Sequence, residues 1–142
     1  LEKNGQYNTL VDVGFGTSQV LPVVFELMAQ KNRLILIEQP ELHLHPSAQA
    51  EIGDLLVDSM KRKNQLIVET HSVTLIERVR RLIREGKLDH KDVNIIYIQD
   101  NPEKRCSECK QIGFLSNGDF DSPWPERDFF GERAAEALSD WW

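Results

Sequence analysis

An α/β fold built on a parallel sheet is predicted by three features of the 142-residue chain. Two short apolar runs, Leu34-Ile35-Leu36-Ile37 and Leu66-Ile67-Val68, each end in a carboxylate, Glu38 and Glu69, without the polar alternation of a strand that faces water. Between and after them, apolar residues recur at helical spacing. A third run, Val93-Asn94-Ile95-Ile96-Tyr97-Ile98, completes a strand, helix, strand, helix, strand rhythm, the pattern of a sheet wound by right-handed crossovers.

The elements follow in order. Residues 1 to 9 are polar and read as irregular. Leu10 to Val13 lead into Gly14-Phe15-Gly16-Thr17-Ser18-Gln19, after which Val20, Leu21, Val24, Phe25 and Met28 mark a helix over about 18–30. Thr17 or Ser18 is its expected N-cap, with Pro22 tolerated in the first turn. Leu34 to Ile37, stopped by Glu38-Gln39-Pro40, is expected to be a strand buried on both faces. Pro46 opens a second helix with Ile52, Leu55 and Leu56 on its inner face and Lys61-Arg62-Lys63 at its negative carboxyl end. Gln65 to Glu69 form the second strand. Thr70-His71-Ser72 then precede a helix with an apolar stripe of Leu75, Ile76, Val79, Leu82 and Ile83, which Gly86 ends. After the third strand, 93–98, Gln111 to Leu115 are expected to return antiparallel, and Asn117-Gly118 signals a turn, giving an edge hairpin. Glu132 to Leu138 read as a short terminal helix, with Trp124-Pro125, Phe129-Phe130 and Trp141-Trp142 packing the end of the chain onto the sheet. The expected organisation is one domain over 1–142, of which about 110–142 form a hairpin-and-helix extension.

Composition sets limits on function. A 40% hydrophobic content suits one ordinary core that needs neither metal nor disulfide. The formal charge of -6 opposes a broad, sequence-independent grip on nucleic acid, which requires clustered Lys and Arg. No apolar run approaches the roughly 20 residues that cross a bilayer, so no membrane partner is expected and the expected location is cytoplasmic. Met28 and Met60 are the two methionines, so the natural start is expected upstream of Leu1. Cys106 and Cys109 form a C-x-x-C, but zinc needs four ligands and no second pair exists; an exposed hairpin tip in a reducing compartment is the simpler expectation.

The chemistry concentrates between Leu34 and Pro46. A buried strand ending in Glu38 puts a carboxylate at the sheet's C-terminal edge, where α/β proteins bind ligands, and such a group can hold Mg²⁺ or its waters beside phosphate. Taken alone, a strand-end acid more often caps or is simply solvated. His43-Leu44-His45 with Glu38, Glu41 and His71 also permits a metal-dependent hydrolase. Barrel hydrolases of that kind need about 250 residues, and Pro46 with its following helix fits a different role.

The string Ile37-Glu38-Gln39-Pro40-Glu41-Leu42-His43-Leu44-His45-Pro46 resembles the metal-binding strand and following turn of ABC ATPases of the RecF, SMC and overcoming-lysogenization-defect group. Gly14-Phe15-Gly16-Thr17-Ser18-Gln19, Glu69-Thr70-His71-Ser72 and Trp124-Pro125 followed by Phe129-Phe130 extend the resemblance, over about residues 10 to 135. They match a bacterial family of AAA-like ATPases that end in a domain of unknown function. The resemblance implies a partial P-loop NTPase sheet of ABC type. Glu38 is then the Walker B acid and Mg²⁺ ligand of the full-length protein, Leu42 to Pro46 the D-loop, and His71 the switch histidine. Gly14 to Gln19 become the signature-like loop, in which Gly16, Thr17, Ser18 and Gln19 contact the nucleotide, and His45 is a further cofactor-binding residue. Backbone N–H groups and the Ser18 hydroxyl at a helix N-terminus suit a γ-phosphate presented by a second subunit, which implies a homodimer. ATP and Mg²⁺ are the implied cofactors of the full-length protein, with DNA or a nuclease as further partners. On its polar side, Arg78, Arg81, Arg84 and Lys87 of the third helix are either phosphate contacts or a solvated face.

Two departures bear on mechanism. The residue after the Walker B acid is usually a Glu that polarises water; here it is Gln39, which can orient water but cannot take its proton, so slow or switch-like turnover is expected. Glu41 is the alternative base. The chain also contains no G-x-x-x-x-G-K-[ST], so the phosphate loop and first strands are expected in an N-terminal half upstream of Leu1. Without them the 142 residues are expected to hold no nucleotide tightly and to hydrolyse none. The competing reading is a non-catalytic dimerisation or interaction module that uses nucleotide only as an assembly signal.

Overall fold

The computed structural model describes residues 2–3, 6–7, 15–101 and 103–125. These form a mixed α/β chain: β1 (Glu2–Lys3), β2 (Gln6–Tyr7), α1 (Phe15–Ala29), β3 (Leu34–Glu38), α2 (Pro46–Met60), β4 (Gln65–Glu69), α3 (Val73–Arg84), a 3₁₀ turn at His90–Asp92, β5 (Ile95–Asn101) and β6 (Cys106–Ile112). The chain divides into two compact units, Leu1–Val79 and Arg80–Trp142.

In the first unit, β1 and β2 pair antiparallel inside the stretch expected to be irregular. β3 and β4 pair in parallel, from Leu34 opposite Gln65 to Glu38 opposite Glu69, with α2 as the crossover. Leu27 of α1, Ile37 of β3, Ile52 and Leu56 of α2 and Leu75 of α3 make the buried core, and Ile35, Leu66 and Val68 pack against it. Alternation along the two strands therefore turns Ile35, Ile37, Leu66 and Val68 inward. The opposite face carries Leu34, Leu36 and Ile67, which are 54%, 69% and 55% exposed. The expectation of strands buried on both faces is corrected: only one face is covered among the described residues, because all the helices of this unit that contact β3 and β4 pack on that side.

The helix ends have identifiable causes. α1 starts at Phe15, not at about 18, so Gly16 to Gln19 lie within its first turns and Pro22 falls in its interior instead of its first turn. At its other end, the Arg62 guanidinium donates to the Leu27 carbonyl at 2.8 Å. Buried Asn64 ties three segments together: its Nδ2 donates to the Gln30 carbonyl and to Ser59 Oγ, both at 2.9 Å, and its Oδ1 accepts from the Arg33 N–H at 3.0 Å. α3 is capped by Ser72, whose Oγ accepts from the Leu75 N–H at 3.0 Å. Its exit is set by Gly86 at φ +68, with the Gly86 and Lys87 N–H groups donating back to Ile83 and Leu82, the paired bonds of a glycine-terminated helix.

In the second unit, β5 and β6 form an antiparallel hairpin running from Ile95 opposite Ile112 to Asn101 opposite Cys106. The return strand is thus Cys106–Ile112, earlier than the expected 111–115, and β5 starts at Ile95 and pairs with β6 alone among the described residues. Cys106 and Cys109 lie on the strand and not at the tip; an odd separation of three sends their side chains to opposite faces, and both are exposed and free. The Asn117-Gly118 turn closes a bridge between Phe114 and Phe120, with Gly118 at φ +80. Phe120 meets Trp124 in a tilted arrangement at 5.0 Å between ring centroids, and Trp124 meets Tyr97 edge to face at 5.7 Å. The expected terminal helix and the later aromatics lie outside the described residues.

Candidate functional site

Parallel pairing of β3 with β4 brings the candidate residues of both strand ends to one sheet edge. Glu38 closes β3 directly opposite Glu69, and His71 follows two residues beyond β4. The Glu38 carboxylate is exposed and makes no hydrogen bond or ion pair among the described residues, so its oxygens are available to a hard cation or to its waters. The His71 imidazole is likewise exposed. These residue types fit a magnesium-nucleotide edge, although no set of three or more His, Cys, Asp or Glu side chains converges as a metal cage among the described residues. His43, His45, Glu41 and His71 therefore do not assemble the alternative hydrolase centre.

The turn after β3 is held in an uncommon conformation. Gln39 and His43 both occupy the left-handed region, at φ 44 and φ 59, where a side chain costs on the order of 1–3 kcal/mol. Gln39 is fixed twice to the neighbouring strand end: its N–H donates to the Glu69 carbonyl at 2.8 Å, and its Nε2 donates to Glu69 Oε1 at 3.3 Å. With the amide nitrogen so directed, the Gln39 carbonyl oxygen is the group left to accept from a water. Pro40 and Glu41 are buried; Oε1 of Glu41 accepts from the His71 N–H at 2.7 Å and Oε2 is buried without a partner. Both oxygens are thereby withdrawn from solvent, a poor placement for the alternative base.

The segment from Gly16 to Gln19 meets the same turn. A Cβ placed on Gly16 would overlap the His43 carbonyl oxygen, so the first turn of α1 lies against the backbone of the turn that follows β3 and only glycine permits that approach. α1 begins at Phe15, so Gly16, Thr17 and Ser18 lie in its first turn, at the positive end of the helix dipole, and Gln19 follows them. His45 acts locally, since its Nδ1 accepts from the Ser47 N–H at 3.3 Å and caps α2. Ser72, next to His71, bonds through its hydroxyl to Gln49 Oε1 at 2.7 Å, tying the β4–α3 junction to α2.

Glu69 and the buried carboxylate of Glu41 are the residues that motif reasoning passed over as structural partners. Glu69 was visible as the first residue of Glu69-Thr70-His71-Ser72; only the parallel register places it beside Glu38 and Gln39. Three of the four basic residues named on and after α3 are engaged within the chain: Arg78 forms a bidentate pair with Asp54 at 2.7–2.9 Å, while Arg81 and Lys87 both reach Glu85 at 2.7 Å. Hydrogen bonds from Lys87 and then Arg81 pull the Glu85 carboxyl down to about 2. A cleft lined by Ile83, Gly86, Leu88, Asp89, His90 and Ser116 belongs to the second unit and contains none of the candidate residues.

Comparison with known proteins places this site in a family. Residues 1–77 match the family described as "AAA domain, putative AbiEii toxin, Type IV TA system". A 47-residue stretch, 33% of this chain, is 40% identical to the Old nuclease of Escherichia phage P2, of which the chain covers 8%. The chain thus spans only a small part of that relative. With residues 1–77 of 142 matched, more than half its length, the chain belongs to this AAA-domain family and is an AAA-like ATPase portion.

Proposed function

We propose that this chain is the C-terminal part of an ATP-binding and ATP-hydrolysing domain of ABC type, in which Glu38 holds Mg²⁺ or its waters and His71 contacts the γ-phosphate or positions the attacking water. The observation that carries the reading is the single sheet edge at which an exposed strand-end carboxylate with no partner among the described residues, an exposed histidine and a hydrogen-bonded Gln39 close or follow adjacent parallel strands. Gln39 would orient water through its carbonyl oxygen instead of removing a proton, since phosphoryl transfer rests chiefly on positioning and electrostatics. The first-turn N–H groups of Gly16, Thr17 and Ser18 would bind the γ-phosphate of a nucleotide held by a second subunit, with Gln19 and His45 beside them, in a homodimer.

The N-terminal half of the full-length protein is the proposed cover for Leu34, Leu36 and Ile67. Contiguous apolar surface on a two-stranded sheet calls for further packing, and each of β3 and β4 has a ladder on one edge only among the described residues. A nuclease or DNA is the proposed partner of the full-length protein, by analogy with the phage relative's name.

A specific observation also favours the assembly-signal reading: neither residue considered as the base presents a carboxylate to solvent, because Gln39 is an amide and Glu41 is buried. The two readings differ in turnover, not in binding. Calorimetric titration of ATP into the full-length protein should show tighter binding with Mg²⁺ than without, and Glu38→Gln should abolish that difference. Magnesium-independent binding, equal in both proteins, removes Glu38 from the site.

A further inference from the structure

We propose that Glu41 is a positioning residue, a buried latch that sets the backbone of His71 from the turn following β3. Glu41 is 8% exposed, and its Oε1 accepts the His71 N–H at 2.7 Å across a sequence gap of 30 residues. This charge-assisted bond lies just before the amino end of α3, where the helix's unpaired N–H groups favour a negative group. The second oxygen, Oε2, is buried with no partner among the described residues, an arrangement that stability alone does not favour.

The latch has a firm base. The Leu42 N–H donates to the Gln39 carbonyl at 3.1 Å and the Leu44 N–H to the Glu41 carbonyl at 3.0 Å, closing the turn on itself. On its other side, the His43 carbonyl rests against Gly16. Glu41 therefore connects a turn fixed to α1 with the residue whose imidazole stands at the sheet edge. A shift of that turn, such as nucleotide engaging the first turn of α1 would cause, is transmitted to His71 through one hydrogen bond. Glu41 touches neither nucleotide nor water in this scheme and acts through His71.

The test uses the full-length protein with Glu41→Ala, Glu41→Gln, His71→Ala and the double variant Glu41→Ala/His71→Ala. Hydrogen exchange of peptides covering residues 70–72 reads the latch directly, independently of any ATPase activity. Glu41→Ala should speed exchange at His71 by about tenfold or more, whereas Glu41→Gln, which keeps an acceptor oxygen, should remain within about threefold of the parent. The kinetic arm rests on the role proposed above for His71. Glu41→Ala should lower kcat about tenfold with little change in KM, Glu41→Gln should recover most of it, and the double variant should equal His71→Ala alone. Unchanged His71 exchange in Glu41→Ala overturns the latch, as does a double variant whose loss is the product of the two single losses. If His71→Ala turns over ATP normally while Glu41→Ala still frees the His71 amide, the switch assignment falls and the latch stands. Glu41→Gln guards against misfolding of the alanine variant, because loss of His71 protection in a folded Glu41→Gln protein also contradicts the proposal.

Discussion

Replacing Gly16 by alanine sets two opposing effects against each other at one atom. Gly16 lies in the first turn of α1, and replacing a helical glycine by alanine ordinarily stabilises by up to about 0.5–1 kcal/mol through reduced unfolded-state entropy. Here the added Cβ would overlap the His43 carbonyl oxygen and sit 3.2 Å from its carbon, inside an ordinary contact distance. The obstructing atoms are backbone in a turn already at positive φ, so they cannot swing aside as a side-chain tip could. Overpacking of this kind costs about 1–3 kcal/mol, leaving a net destabilisation on the order of 1–2 kcal/mol. Thermal unfolding of the full-length Gly16→Ala protein should show the transition of this domain lowered by on the order of 5 °C. A raised Tm, the outcome that helix propensity alone demands, refutes the argument that Gly16 is there for the turn.

Asn64→Ala should destabilise by on the order of 3 kcal/mol in denaturant titration, because the Arg33 N–H, the Gln30 carbonyl and Ser59 Oγ lose a buried partner together. Gly86→Ala places a side chain at φ +68 and should cost about 1 kcal/mol, read as a shifted unfolding midpoint, although the space around it is open. The Glu85 carboxyl is depressed in the folded state, so its contribution is complete above the ordinary carboxylate range and is lost as pH falls from about 4.5 towards about 2; Glu85→Gln should flatten that acid limb, and added salt should shrink the difference because the group is exposed. Arg81→Glu should leave DNA retention by the full-length protein unchanged in a filter or mobility assay, since Arg81 is already engaged by Glu85. The 142 residues by themselves should show negligible ATPase activity.

What the sequence made legible follows from where the deciding interactions lie. β3 and β4 announced themselves as apolar runs ended by carboxylates, and their strand positions depend on little else. Whether both faces are buried depends on what covers them, which no periodicity encodes, so Leu36 reads as core and is exposed. The start of α1 was obscured because glycine disfavours helix locally, whereas the contact between Gly16 and His43 is tertiary. The polar composition of Cys106–Ile112 hid β6, a strand specified by its pairing with β5 more than by its own residues. Glu38, His71 and the glycine segment were legible as motifs. The buried orientation of Glu41 and the link from Gln39 to Glu69 were not, because both depend on left-handed backbone at residues other than glycine.

Glu38 as the magnesium-binding acid of a working site is the claim on which the proposed function rests. Steady-state ATP hydrolysis by the full-length protein and by Glu38→Gln, each across a magnesium titration at saturating ATP, tests it most directly. The predicted result is slow, magnesium-dependent turnover in the parent that falls at least about tenfold in Glu38→Gln, with the folded protein intact. Equal turnover by the two proteins at every magnesium concentration would contradict it.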